Sequence, residues 1–129
     1  MGHVGACIVR VAPGICEIEM DYRPGFSQQH GFFHAGTTGA IADSACGYAA
    51  FTRMEASSSV LMVEYKLNLI APAHGEKLIA RASVIRAGRT LKICSSEVLV
   101  VKEGVETACA VSLSTIMEVR GRPDAPEAS

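Results

Sequence analysis

At 129 residues the chain has the commonest size of a single domain and can bury a core without disulfides or metal. Apolar residues make up 49% and charged residues 19% of it, and no apolar run approaches the roughly 18 residues of a membrane span, so a soluble, globular protein is expected. A net charge of -1 without a basic block argues against a nucleic-acid groove, which needs clustered Lys and Arg to replace the counterions of phosphate.

The stretch Met1 to Val11 lacks a basic segment followed by an apolar one, as an export signal would have, and Ala6 stands where a myristoylation site needs Ser or Thr. Cys7, Cys16, Cys46, Cys94 and Cys109 are odd in number and mostly embedded in apolar runs, which reads as buried thiols in a reducing cytoplasm. No Cys-x-x-Cys pair is available for a zinc ribbon or a dithiol motif.

Val4 to Val11 reads as a first strand before Gly14. From Ile15 to Tyr22, Cys16, Ile18, Met20 and Tyr22 alternate with Glu17, Glu19 and Asp21, the period of two of a strand with one wet face. Ala35 to Arg53 has no proline and no alternation. Ile41, Ala45, Tyr48 and Thr52 recur there at helical spacing, which predicts the only long helix. Gly36, Gly39, Ala40, Ala42, Ala45, Gly47, Ala49 and Ala50 make it mostly small, and each interior glycine costs about 1 kcal/mol against alanine, so close packing must support it.

The period of two returns at Leu61, Val63, Tyr65, Leu67 and Leu69, and again from Val105 through Thr107, Cys109, Val111, Leu113 and Thr115 to Met117. Leu78 to Arg86 and Leu91 to Val101 are extended runs joined by a turn at Ala87, Gly88 and Arg89. Consecutive strands on short turns predict an α+β fold, a long antiparallel sheet of about five or six strands wrapped around one central helix. The organisation is one domain over residues 1–119, with 120–129 as a frayed tail.

Chemistry concentrates where loop becomes helix, in Gln28-Gln29-His30-Gly31-Phe32-Phe33-His34-Ala35-Gly36, and further on at Asp43. A first helical turn offers free N–H groups and the positive end of the dipole, so the Ala35 and Gly36 amides are candidate donors to a developing oxyanion. Asp43 is costly within a packed helix, and its small helical neighbours leave room for a ligand or a second subunit. It lies about 12 Å along the axis from Ala35 at 1.5 Å per residue, so one carbonyl cannot touch both on one chain. Two helices antiparallel about a two-fold axis would bring Asp43 of one subunit opposite the other's amides.

The loop ending in His34-Ala35-Gly36, with an acidic residue nine positions after the histidine, resembles the PaaI-like thioesterases of the hotdog fold. The resemblance extends over the helix and the Leu61 to Ala73 stretch with its Ala71-Pro72-Ala73 exit. It implies hydrolysis of an acyl-coenzyme A, with Asp43 as nucleophile or general base and Ala35 and Gly36 as the pair whose first amide polarises the thioester carbonyl. It also implies that Gln28 holds the thioester or the water and that His34 orders the loop. Coenzyme A then enters as part of the substrate, with no separate cofactor, and the enzyme is a homodimer or a dimer of dimers. Two positions depart from the family pattern: Ala35 replaces the usual glycine, and Gln28 stands where asparagine is common.

His30 and His34 share a zincin's spacing, but Gly31 occupies the place of the essential glutamate, so a metal site is not expected. Cys46 lies beyond the helix start that would activate a thiolate, and Ser44 is outside any Gly-x-Ser-x-Gly elbow. His3 and His74 read as surface residues. Arg86, Arg89 and Lys92 ring one hairpin, either as solvated turn charges or as contacts for the phosphates of coenzyme A. The rival functions are a hotdog hydratase or dehydratase, which would pair His34 with Asp43, and a non-catalytic acyl-CoA-binding module.

Overall fold

Alternating apolar and polar residues make strands of this chain, and tight turns fold them back on one another. The computed structural model describes residues 5–22, 27–29 and 32–121, the middle stretch as backbone only. Val4, His3, His30 and residues 122–129 of the expected tail lie outside the described residues.

Six strands form one antiparallel sheet: β1 (Ala6–Ala12), β2 (Ile15–Asp21), β5 (Ser59–Leu69), β6 (Lys77–Ala87), β7 (Leu91–Lys102) and β8 (Val105–Val119). Their order is β1-β2-β6-β7-β8-β5. A ribbon of β3 (Ser27–Gln29) and β4 (Phe32–Phe33) leads into α1 (Ala35–Phe51), the helix of the hotdog arrangement. Each of the six predicted strands is present. The ribbon has no counterpart in the sequence reading, since two or three residues are too few to show a period.

Turn chemistry fixes the hairpins. Between β7 and β8, Glu103 (φ 51) and Gly104 (φ 79) both take left-handed backbone, as a two-residue type I′ turn requires. Between β1 and β2, Gly14 (φ 78) donates its N–H to Thr52 Oγ1 at 2.7 Å, tying that turn to the end of the helix.

The helix buries Thr38, Gly39, Ile41, Ala42, Ala45, Cys46, Ala49 and Ala50 against the sheet. Its other face is open: Gly36, Ala40, Tyr48 and Phe51 are exposed, and Asp43, Ser44 and Gly47 are half-buried. Tyr48 therefore departs from the predicted apolar face of Ile41 and Ala45. Small residues serve two purposes, close packing on the sheet and an open stripe on the far side.

Two strands place their apolar residues differently from simple alternation. In β5 the register slips by one residue between Met62 and Glu64, so Met62 pairs with inward-facing Ile116 while Tyr65 and Leu67 pair with inward-facing Ser114 and Ser112. A bulge switches which parity faces the helix. Leu61 and Val63 are left exposed, and so are Tyr65 and Leu69, because β5 is an edge strand. In β8 the inner residues are Ala110, Ser112, Ser114, Ile116 and Glu118, while Leu113 faces out. Hydrogen bonding allows this: Ser96 and Ser112 share a hydroxyl contact of 2.5 Å, and the Cys46 thiol lies 3.9 Å from Ser112 Oγ.

The inner face ends in a buried ion pair. Lys92 Nζ lies 2.5 Å from Glu118 Oε1, and Glu118 Oε2 accepts from Ser58 Oγ and from the Glu55 N–H. Burial alone would push the Glu118 carboxyl up; the Lys92 and Ser58 bonds outweigh it and hold the carboxyl at about 2. Arg120 adds contacts to Glu55 and Glu118 at 3.0 and 3.2 Å. This knot fastens the loop after α1 to β7 and β8.

Candidate functional site

The start of α1 is shaped by His34. Its backbone is extended (φ -66, ψ 143), the N-cap conformation, and its ring Nδ1 accepts from the Gly36 N–H at 3.0 Å. Accepting at Nδ1 places the ring proton of the neutral imidazole on Nε2. A side chain on Gly36 would begin only 3.3 Å from that Nδ1, so glycine keeps the cap unobstructed. The His34 carbonyl accepts from the Thr37 and Thr38 N–H groups at 3.0 and 3.1 Å.

This bonding divides the expected oxyanion pair. The Gly36 amide is occupied by His34, whereas the Ala35 amide has no acceptor among the described residues. Ala35 borders a cavity of about 580 Å³ lined by Phe32, Phe33, Thr38, Ile70 and Pro72, among others. Of the two expected donors, the cap leaves the Ala35 amide free and engages that of Gly36.

Asp43 lies eight residues further along, half-buried, with no hydrogen-bond partner among the described residues. Burial pushes its carboxyl up from the ordinary aspartate value. It opens not on the Ala35 cavity but on a second one of about 410 Å³, between the latter half of α1, the edge strand β5 and Ile116 of β8. One chain thus presents a free amide and a free carboxylate in separate cavities. His34 and Asp43, the pair a hydratase would need, are about 13 Å apart along the axis on one chain.

The remaining expected residues divide as follows. Gln28 lies in β3, on the ribbon that runs into His34, and its side chain is outside the described residues. Arg86 and Arg89 are exposed at their hairpin. Lys92 is corrected: it is 2% exposed and donates to Glu118, to the Gly88 carbonyl at 2.9 Å and to the Arg89 carbonyl at 3.4 Å. It is neither a solvated turn charge nor free for a phosphate, because its strand position points inward. His74, half-buried at the surface, has partners: it stacks on Phe32 with ring centroids 4.4 Å apart and its Nδ1 lies 3.1 Å from Lys102 Nζ.

The thiols offer no competing nucleophile at the helix. Burial pushes the Cys46 thiol up, and it pushes Cys16 to about 11 and Cys94 to about 12. Among the described residues no three His, Cys, Asp or Glu side chains group as a metal site, and no helix is long and apolar enough to cross a membrane. The sequence reading missed the walls of the Asp43 cavity, Tyr48, Phe51, Val60, Met62 and Ile116. These come from three elements, and only the β5 bulge turns Val60 and Met62 toward the helix.

The sequence profile of the thioesterase superfamily matches residues 30–116. A thioesterase family protein of Silicibacter pomeroyi is 43% identical, with 94% of this chain and 89% of that one covered at a TM-score of 0.91. A mutant of the phenylacetic acid degradation protein PaaI of Thermus thermophilus is 25% identical over 91% of this chain and 96% of that one, with a TM-score of 0.77. A Haemophilus influenzae thioesterase shares the fold at 23% identity and a TM-score of 0.82, with 93% and 82% of the two chains covered. No curated protein matches.

Proposed function

The chain belongs to the thioesterase superfamily, and from that premise we propose that it hydrolyses an acyl-coenzyme A thioester at a site built by two copies of the chain. The observation that carries this reading is the separation of the Ala35 amide and the Asp43 carboxylate into two cavities on one protomer. Hydrolysis needs the amide at the carbonyl oxygen and the carboxylate at the carbonyl carbon or its attacking water, and a two-fold pairing of α1 would bring the two together. The exposed helix stripe and the unpaired β5 edge, with Leu61, Tyr65 and Leu69 uncovered, support such a pairing.

In this mechanism the carbonyl oxygen accepts from the Ala35 N–H at the positive end of α1, which stabilises the negative charge that develops during attack. His34 holds the first turn in shape through Gly36. Asp43 of the partner subunit either attacks the carbonyl carbon, forming an acyl anhydride that water then hydrolyses, or takes a proton from an attacking water. In both routes the C–S bond breaks and the coenzyme A thiolate takes up a proton from that water to leave as its thiol. Gln28 positions the reacting group. Arg86 and Arg89 remain candidates for the phosphates of coenzyme A, and Lys92 no longer does. No cofactor is required beyond the substrate, and assembly into a dimer of dimers in the cytoplasm completes the reading.

Thiol release from a panel of acyl-CoAs tests it. The wild type should turn over at least one of them, and Asp43→Asn should lower the rate by about 10² to 10⁴-fold while the protein stays folded. Acyl-CoA binding with no thiol release would replace hydrolysis by the non-catalytic binding module.

A further inference from the structure

The first turn of α1 is aimed from outside the helix. β4 is two residues long and its last residue, Phe33, precedes the cap residue His34, so whatever fixes β4 sets the direction of the Ala35 amide. Three ties fix it to residues 73 and 74, the first of which lines the Ala35 cavity. The Phe33 N–H donates to the Ala73 carbonyl at 2.8 Å, Phe32 and His74 form an antiparallel bridge, and their rings stack with centroids 4.4 Å apart at 11°.

His74 is itself strapped to the sheet. Gly75 is buried against the end of β7, where a Cβ would overlap the Val101 carbonyl oxygen, so glycine permits this approach. The Glu76 N–H donates to that carbonyl at 2.9 Å. The strap brings the His74 ring to Lys102, the last residue of β7, with Nζ 3.1 Å from Nδ1. A lysine ammonium only donates, so Nδ1 accepts and the ring carries its proton on Nε2. The groups facing the ring are Phe32 from β4 and Lys102 from β7; Glu76, in its own stretch, turns its carboxylate to the Glu103 N–H at 2.7 Å.

We propose that His74 is a positioning residue for the oxyanion turn: while neutral it clasps Phe32 and keeps the Ala35 amide aimed into its cavity, and on taking up a proton it releases β4. The inference rests on the hydrolysis reading for the use of that amide. The clasp itself rests on the bridge, the stack and the Lys102 contact. A proton on Nδ1 abolishes the acceptor and leaves two cations side by side, so the charged ring parts from Lys102. The His34 cap has the same requirement, because its Nδ1 accepts from the Gly36 N–H. Both histidines adjoining β4 must be neutral for the turn to keep its shape, and histidine is the side chain whose charge changes between about pH 5 and 8.

The test uses the full chain labelled with ¹⁵N. Ring spectra should place the His74 proton on Nε2 at about pH 8. Protection of the Phe33 amide against hydrogen exchange, corrected for intrinsic exchange, should fall about ten-fold or more toward about pH 5. His74→Asn keeps an acceptor near the Nδ1 position and takes up no proton, so its Phe33 protection should hold over that range. Lys102→Met should lessen the loss, since a charged ring then meets no cation. In thiol release, His74→Ala should lower kcat about ten-fold or more with KM little changed, because the amide acts on the developing oxyanion, and His74→Asn should recover most of it at neutral pH.

A His74 proton on Nδ1 at about pH 8, or unchanged kcat and Phe33 protection in His74→Ala, would overturn the clasp. Equal acid loss of protection in wild type and His74→Asn would overturn it too and assign the response to His34. If His74→Ala does not fold, the Phe33 protection of His74→Asn and Lys102→Met decides. The expected exchange pattern without thiol release from any acyl-CoA would keep the clasp and overturn hydrolysis. Thiol release with kcat independent of residue 74 would keep hydrolysis and overturn the clasp.

Discussion

Replacing Ala35 by proline removes one N–H and little else. Position 35 is the first residue of α1, where proline's fixed φ suits the helix and its missing donor breaks no helical bond. Proline also restricts the residue before it to extended backbone, and His34 already sits at φ -66, ψ 143. Ala35→Pro should therefore fold with the His34 cap intact and lose activity, because it removes the free amide that the first turn of α1 presents to that cavity. Losing one oxyanion donor lowers the rate by about 10² to 10³-fold.

Asp43→Asn should be inactive as well, through the other half of the site. If each site takes its amide from one subunit and its carboxylate from the other, a dimer of one Ala35→Pro and one Asp43→Asn chain holds one intact site and one doubly defective site. Mixing equal amounts with subunit exchange leaves about half the dimers mixed, so about a quarter of wild-type activity should return. Thiol release measured before and after exchange, with heterodimers quantified by native mass spectrometry, reads the result. Dead heterodimers from folded parents would refute the shared site. Full activity in Ala35→Pro alone would refute Ala35 as the donor.

Burial raises the Asp43 carboxyl, so its charge opposes folding, and the sign of its pH dependence follows. A folded-state value above the unfolded one contributes stability that is present at low pH and is lost as pH rises through the folded value. Asp43→Asn should then raise Tm at neutral pH and give no gain under acid conditions, as thermal scans at both would show; a neutral-pH decrease would refute it. Glu118 has the opposite sign, because its carboxyl is held at about 2, so its stabilisation is present above the ordinary glutamate value of 4.5 and is lost as pH falls toward about 2. Lys92→Met leaves that carboxylate buried and unpaired and should cost about 3 to 5 kcal/mol by urea unfolding, whereas Lys92→Met with Glu118→Leu should cost much less. Equal losses in the two variants would refute the coupling.

Local sequence determined the elements. The six strands follow from alternation, the helix from the proline-free run of small residues after His34, and the spacing from His34 to Asp43 from counting along one helix. Each depends on residues within a few turns of one another, and so survives without knowledge of neighbours. Tertiary structure decided which faces those elements present. Alternation places Leu61, Val63 and Tyr65 on one side of a strand, but the slip between Met62 and Glu64 depends on pairing with β8, some fifty residues away. Lys92 reads as a turn charge until β8 brings Glu118 to it. The Ala35 and Gly36 amides are equivalent in sequence, and only the orientation of the His34 ring separates the occupied donor from the free one. A linear pattern records period and spacing, while register, burial and hydrogen-bond choice arise from partners distant along the chain.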